Sequence, residues 1–390
     1  MLDASASRLI RPMSTSQCSG EGLMNRLALS LAVTIWLCAA PLLAQTPVFE
    51  RADFPTATGG RGIATADFDR DGYFDLAVGG TGPDAVEVLM NARDGGFRPG
   101  AGIIVGGGPF GLTAGDVNHD GKADIVVANA DANAITVILG NGDGTFAASR
   151  DIPAGLSPRA VELADLNRDG RTDIVYTAYS ANVWRVAYGD GAGGFETARS
   201  YPTGRNPQGI VTGDFNRDGR PDVAVAEVSG NISIYYLTGD YPSHRRETLR
   251  PTSLPKNIIA SGDFNKDGWI DLVVGSTVDG RIVFLRGSES GFSPYAANVP
   301  PQSSPRGIDV ADVNQDGWLD VAIANRGSST VRLQLGRPDG TGQFDELVLD
   351  AGVGSRAVTI GDFDWNGRVD LATANEFGNS VTILTNRTSW

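Results

Sequence analysis

Asp165-Leu166-Asn167-Arg168-Asp169-Gly170-Arg171-Thr172-Asp173 is one of seven copies of an acidic loop, and reading it decides the fold. The others are DFDRDGYFD from Asp67, DVNHDGKAD from Asp116, DFNRDGRPD from Asp214, DFNKDGWID from Asp263, DVNQDGWLD from Asp312 and DFDWNGRVD from Asp362. Their starts lie 49 residues apart five times and 50 once. So regular a period means one supersecondary unit copied through the chain, because a unit of this size cannot bury its apolar face without packing against its own copies.

Within each copy, oxygen-bearing side chains stand at positions one, three, five and nine, with glycine at six. These are Asp67, Asp69, Asp71 and Asp75; Asp116, Asn118, Asp120 and Asp124; Asp165, Asn167, Asp169 and Asp173; Asp214, Asn216, Asp218 and Asp222. The last three sets are Asp263, Asn265, Asp267 and Asp271; Asp312, Asn314, Asp316 and Asp320; Asp362, Asp364, Asn366 and Asp370. Alternate oxygens on a tightly turned segment are what calcium requires, six to eight ligands at about 2.3 to 2.6 Å in a forgiving geometry. The glycine permits the bend that returns position nine to the ion, and the carbonyl at position seven is the natural further ligand. Magnesium prefers six shorter bonds and keeps its waters, and the loops offer no thiolate or imidazole pattern for zinc. Up to seven calcium ions are expected. The plainer reading, a polar turn rich in Asp, Asn and Gly, accounts for any one copy but poorly for seven with the same ligand pattern.

The loop opens like an EF-hand, but its acid closes at position nine rather than twelve, and no helical pattern flanks any copy. The segment after position nine is short, apolar and β-branched, as in Asp124-Ile125-Val126-Val127-Ala128, which predicts a buried strand. Position two is always large and apolar (Phe68, Val117, Leu166, Phe215, Phe264, Val313, Phe363), which predicts that it pins each loop to the core.

Charge agrees with metal. Without the leader's three arginines and two acids the chain holds 29 basic and 44 acidic residues, a net of −15, and 22 of those carboxylates stand at the loop positions. This is the balance of metal sites, not of a nucleic-acid or membrane binder.

Residues 1–44 lie outside the repeats. Arg26 precedes an uncharged apolar run from Leu27 to Leu37, then Cys38, Pro41 and Leu42-Leu43-Ala44, the pattern of a secretory signal cleaved after Ala44. Met24 opens that signal with ordinary proportions and is a candidate true start; an uncleaved anchor is the alternative. Both cysteines, Cys18 and Cys38, fall in the leader, so the mature chain has no disulfide. A secreted, periplasmic or cell-surface location is expected, with no membrane span in the mature chain.

Each period has room for four short strands. The third recurs as VEVLM at Val86, ITVIL at Ile135, ISIYYL at Ile232, VRLQL at Val331 and VTIL at Val381. A turn ending in phenylalanine then recurs at Phe97, Phe146, Phe195, Phe292 and Phe344, while the fourth unit departs from this with YPSHRRETL. Four antiparallel strands repeated seven times predict an all-β, seven-bladed β-propeller over residues 45–390. The last unit lacks a fourth strand, and Val48-Phe49-Glu50-Arg51 matches one without its blade, so the first segment is expected to complete the last blade and close the ring.

These units resemble the FG-GAP or VCBS repeats of integrin α-chain heads and many exported bacterial proteins. The Gly-Asp-Phe opening of such repeats stands at Gly213-Asp214-Phe215, Gly262-Asp263-Phe264 and Gly361-Asp362-Phe363, and the resemblance spans residues 48–390. It implies calcium in the loop between the first and second strands of each blade. In integrins only some blades carry that loop, whereas here all seven do.

Six residues before the loops stand Arg61, Phe110, Arg159, Gln208, Asn257, Arg306 and, in the seventh, Arg356. They are expected to ring the channel opening on the face away from the loops. Arginine forks suit carboxylate or sulfate, so Arg61, Arg159, Arg306 and Arg356 are candidates for holding an acidic glycan or protein. The alternative is that they pair with nearby acids or hydrate the rim. The two histidines, His119 and His244, are expected to face solvent. No GxSxG, HExxH or phosphate-loop motif is present. The leading expectation is a calcium-stabilised, monomeric binding or adhesion module for an extracellular glycan or protein. The competing one is an extracellular polysaccharide lyase or glycosidase, which a propeller can also host.

Overall fold

The computed structural model describes residues 46–389 apart from 58, 83, 240–242, 252–257, 296–299 and 338–342. The leader and Asn257 lie outside the described residues. The repeats form seven four-stranded antiparallel sheets among the described residues, with strands hydrogen-bonded in chain order in all but the last. In the second blade these are Pro109–Gly115, Asp124–Asn129, Ala134–Ile138 and Arg150–Pro153. Every residue of Asp124–Asn129 is buried, because both faces of this β-branched strand are covered. The outer strands alternate instead, as in Phe344–Asp350. First strands of consecutive blades touch around the whole ring, the seventh meeting the first.

The ring closes as the sequence predicts. Phe49–Pro55 pairs antiparallel with Ser380–Asn386, Phe49 opposite Asn386 and Pro55 opposite Ser380, and becomes the fourth strand of the blade begun by Ser355–Gly361. The edge of the last blade is thereby paired.

Seven apolar clusters hold the fold, and each joins residues of two adjacent blades. The position-two residue of one loop meets the turn phenylalanine of the next blade. Phe68 lies edge-on to Phe146 at 5.4 Å between ring centroids, Phe215 to Phe292 at 5.7 Å and Phe264 to Phe344 at 6.2 Å. Such pairs add about 0.5–1.5 kcal/mol beyond their buried area. Around Val313 the N-terminal strand supplies Phe49 to the same cluster.

The irregular YPSHRRETL stretch still makes an ordinary fourth strand, His244–Leu249, paired with Ile232–Leu237. His244 does not simply face solvent as expected: it is half-buried, its ring 5.2 Å from that of Tyr201 and 5.6 Å from that of Tyr235. His119 is exposed.

Candidate functional site: acidic loops and the channel mouth

All seven loops share one backbone lattice. The position-one carboxylate accepts the amides of positions five and six, as when Asp116 Oδ1 accepts from Asp120 at 3.1 Å and Oδ2 from Gly121 at 2.8 Å. The glycines at six adopt positive φ, between 77° for Gly121 and 92° for Gly72, which an L side chain resists. Position four is also left-handed, at 55° to 62°, although it is never glycine. Its side chain reaches toward the following loop: Arg217 Nε donates to the Gly268 carbonyl at 2.9 Å and its guanidinium lies 4.3 Å from the Trp269 ring. Lys266 lies 4.6 Å from the Trp318 ring, and Trp365 sits against Tyr73 at 5.6 Å, linking the last loop to the first.

Position nine behaves differently from the others. Both oxygens of each of these aspartates accept backbone amides, one from position two and one from the end of the third strand. Asp124 takes Val117 at 2.9 Å and Gly140 at 2.8 Å, and Asp370 takes Phe363 at 2.8 Å and Asn386 at 2.7 Å. Burial pushes the carboxyls of Asp75, Asp222, Asp271, Asp320 and Asp370 up to about 7 and that of Asp173 to about 6. This carboxylate therefore splices its loop to the blade, a role the spacing alone does not reveal.

The donor set fits a hard cation. Asp67, Asp69 and Asp71 each bring a carboxylate oxygen within 4.8 Å of the others, and so do Asp362, Asp364 and Asp370. The ligand atoms are oxygens alone, the preference of calcium. Among the described residues these are the two clusters of three acids close enough to share an ion, and they are the two copies with aspartate at position three. Each also carries a basic partner: Arg93 Nε donates to Asp71 Oδ2 at 2.7 Å, and Arg387 pairs with Asp364.

At the opposite ends of the first strands, Arg61, Phe110, Arg159, Gln208, Arg306 and Arg356 line one cavity of about 410 Å³, joined by Tyr179, Arg326 and Glu376. A bulge puts them there. The first-strand register skips Arg61, Phe110, Gln208, Arg306 and Arg356 singly and Arg159 together with Ala160. An unpaired residue at a bulge re-aims its side chain, here into the channel. The strands also crowd one another: a Cβ on Gly111 would stand 2.2 Å from the Arg159 carbonyl oxygen.

The mouth is divided electrostatically. Glu376 binds Arg61 at 3.2 Å, Arg326 at 2.5 Å and Arg356 at 3.0 Å. Burial opposes its ionisation, but Arg356 and Arg326 hold its carboxyl below the usual range. Burial pushes Arg356 down to about 10 despite Glu376. Arg159 and Arg306 have no carboxylate partner among the described residues, and the Nε of each is buried without an acceptor. Arg159 instead lies over Phe110 at 4.2 Å and Tyr179 at 4.7 Å, a cation–π arrangement. Burial lowers the pKa of both Arg159 and Arg306. The alternative, pairing with acids, thus holds for Arg61 and Arg356 and, among the described residues, not for Arg159 and Arg306. Glu376, Arg326 and Tyr179 carry no signal in the sequence because the position they share, at or just after the end of the second strand, varies from Thr81, Ala130 and Val228 to Tyr179, Arg326 and Glu376 with no common chemistry.

The FG-GAP-like repeat matches residues 67–127, 116–176, 165–225, 263–323 and 312–373. A chain of the crystal structure of BBS1N in complex with ARL6DN, soaked with lead, is similar in fold, with a TM-score of 0.59 at 13% identity, covering 88% of this chain and 99% of that one. No curated protein matches. Among the described residues, no helix is long and apolar enough to cross a membrane. With repeat matches over well more than half its length and a blade for each acidic loop, the chain belongs to the family of FG-GAP-like repeat proteins.

Proposed function

We propose that this propeller is an exported, non-enzymatic binding module that takes an anionic group in the mouth of its channel and is stiffened by calcium in its acidic loops. One observation carries the reading: among the described residues Arg159 and Arg306 line a partly buried cavity without a salt-bridged carboxylate, the Nε of each lacking an acceptor, while its one acid, Glu376, is taken by Arg61, Arg326 and Arg356. Buried cations are ordinarily paired, and the guanidinium fork matches carboxylate or sulfate. In a chain of net charge −14 the local excess of arginine is a feature of the mouth, not of the surface at large. Calcium would be held by positions one, three and five, with position nine shared between ion and backbone, and would supply compensating charge to carboxylates crowded in each loop.

Retention on acidic polysaccharides, with analysis of the eluate for cleaved products, tests this. Native protein is expected to be retained and Arg159→Ala/Arg306→Ala protein to be released at lower salt, with the polymer intact. Equal retention of both proteins removes the mouth as the site, and shortened polymer makes the chain a lyase or glycosidase.

A further inference from the structure

We propose that the group seated in the mouth is an acidic side chain carried on an apolar segment of a partner protein. The inference deepens the anion reading above and rests on it. The molecule supplies its own example of the seat. Glu376 is a side-chain carboxylate held by Arg61, Arg326 and Arg356, and it satisfies one side of the opening. Arg159 and Arg306 remain, and five guanidinium groups face one carboxylate. The free space between these side chains, about 410 Å³, has room for a further carboxylate beside Arg159 and Arg306.

The surrounding turns decide what carries that group. Leu156 is 56% exposed, Val353 61% and Phe377 59%. The Leu156 carbonyl accepts the Ser180 amide beside Tyr179, so this leucine flanks the Arg159 side of the mouth. Opposite it in sequence order, the Phe377 ring lies 4.5 Å from the Arg326 guanidinium, and the Val353 carbonyl accepts the amides of Phe377 and Gly378. Arginine and aromatic side chains, here Arg159, Arg306, Tyr179 and Phe377, are enriched in protein interfaces, and the exposed Leu156 and Val353 add apolar surface beside them. A uronate or sulfated polymer would gain from hydroxyl-bonding groups at those flanks, where leucine and valine offer none. The partner is therefore a protein segment with an Asp or Glu between apolar residues.

The test is selection of a displayed random heptapeptide library against the full propeller, counter-selected on Arg159→Gln/Arg306→Gln protein. Polygalacturonate oligomers and inorganic sulfate are titrated in parallel. Enriched peptides are expected to share an acidic residue flanked by apolar ones, and its change to the amide should weaken binding about tenfold or more. Leu156→Ser, at a site too exposed to disturb folding, should weaken the same peptides and leave sulfate binding unchanged. If oligogalacturonate or sulfate binds with dependence on Arg159 and Arg306 while no acidic peptide is enriched, the protein-segment proposal falls and the anion reading stands. If no probe depends on either arginine in variants whose melting matches the native protein, both fall.

Discussion

Phe97 of the first blade lies edge-on to Phe363 of the seventh, ring centroids 5.8 Å apart and planes at 72°. It is the same contact that Phe146 makes with Phe68 between consecutive blades, so the joint where the ring closes is built like the others. Phe363 is 1% exposed, and truncating a buried phenylalanine costs about 3–5 kcal/mol. Phe363→Ala is expected to lower the unfolding free energy by that order, read as a lower urea midpoint at unchanged denaturant slope. A loss below about 1 kcal/mol would show that the closing joint does not hold the ring.

Position nine and position five should separate by substitution. Asp124 is fully buried and accepts two backbone amides, whereas Asp120 lies at the surface. Asp124→Asn turns an amide group toward a backbone donor and should destabilise by about 1–3 kcal/mol even with calcium chelated. Asp120→Asn should do so only when calcium is supplied. Denaturation with and without chelator distinguishes them, and equal behaviour of the two variants contradicts the division of roles.

Arg93 competes with any cation for Asp71, donating to Oδ2 at 2.7 Å. Arg93→Gln is expected to tighten the first loop's calcium affinity several-fold, read by calorimetry against the native protein. Weakened binding would instead make Arg93 part of the site's support.

The seam between the third and fourth blades should carry a pH signature of its own. Glu162 accepts the amide of Thr212 at 3.0 Å and its hydroxyl at 3.3 Å, from the following blade. Burial pushes its carboxyl from the ordinary 4.5 up to about 7. The folded chain thus holds this proton more tightly than the unfolded one, so the contribution of Glu162 is most favourable below about 4.5 and is lost as pH climbs toward 7. Glu162→Gln, which keeps the acceptor, is expected to melt above the native protein at pH 8 and close to it at pH 4. A native-like difference at both pH values would contradict the assignment.

Much of this was legible in the chain because it repeats. The acidic loops, the position-two anchors and the turn phenylalanines recur at fixed offsets, and from them the blade, the blade number and the closing role of Phe49 can be read. What does not repeat was hidden. The shared position at or just after the end of the second strand is Thr81, Ala130, Tyr179, Val228, Thr277, Arg326 or Glu376 in the seven blades, so no pattern announced that Glu376 would gather three arginines. The bulges that turn Arg159 and Arg306 inward depend on crowding between first strands, a property of the assembled ring. His244 looked like a surface residue in an irregular stretch because strand pairing there tolerates almost any side chain, and its packing on Tyr201 and Tyr235 is tertiary.

The proposal that the acidic loops cage calcium carries the most weight. Native mass spectrometry of chelator-stripped protein before and after calcium is restored, paired with a melting curve of each sample, tests it directly. Several bound calcium ions and a clear rise in melting temperature are predicted, in line with ligand stabilisation of the folded state alone. A protein that takes up no calcium and melts identically in both samples would contradict it.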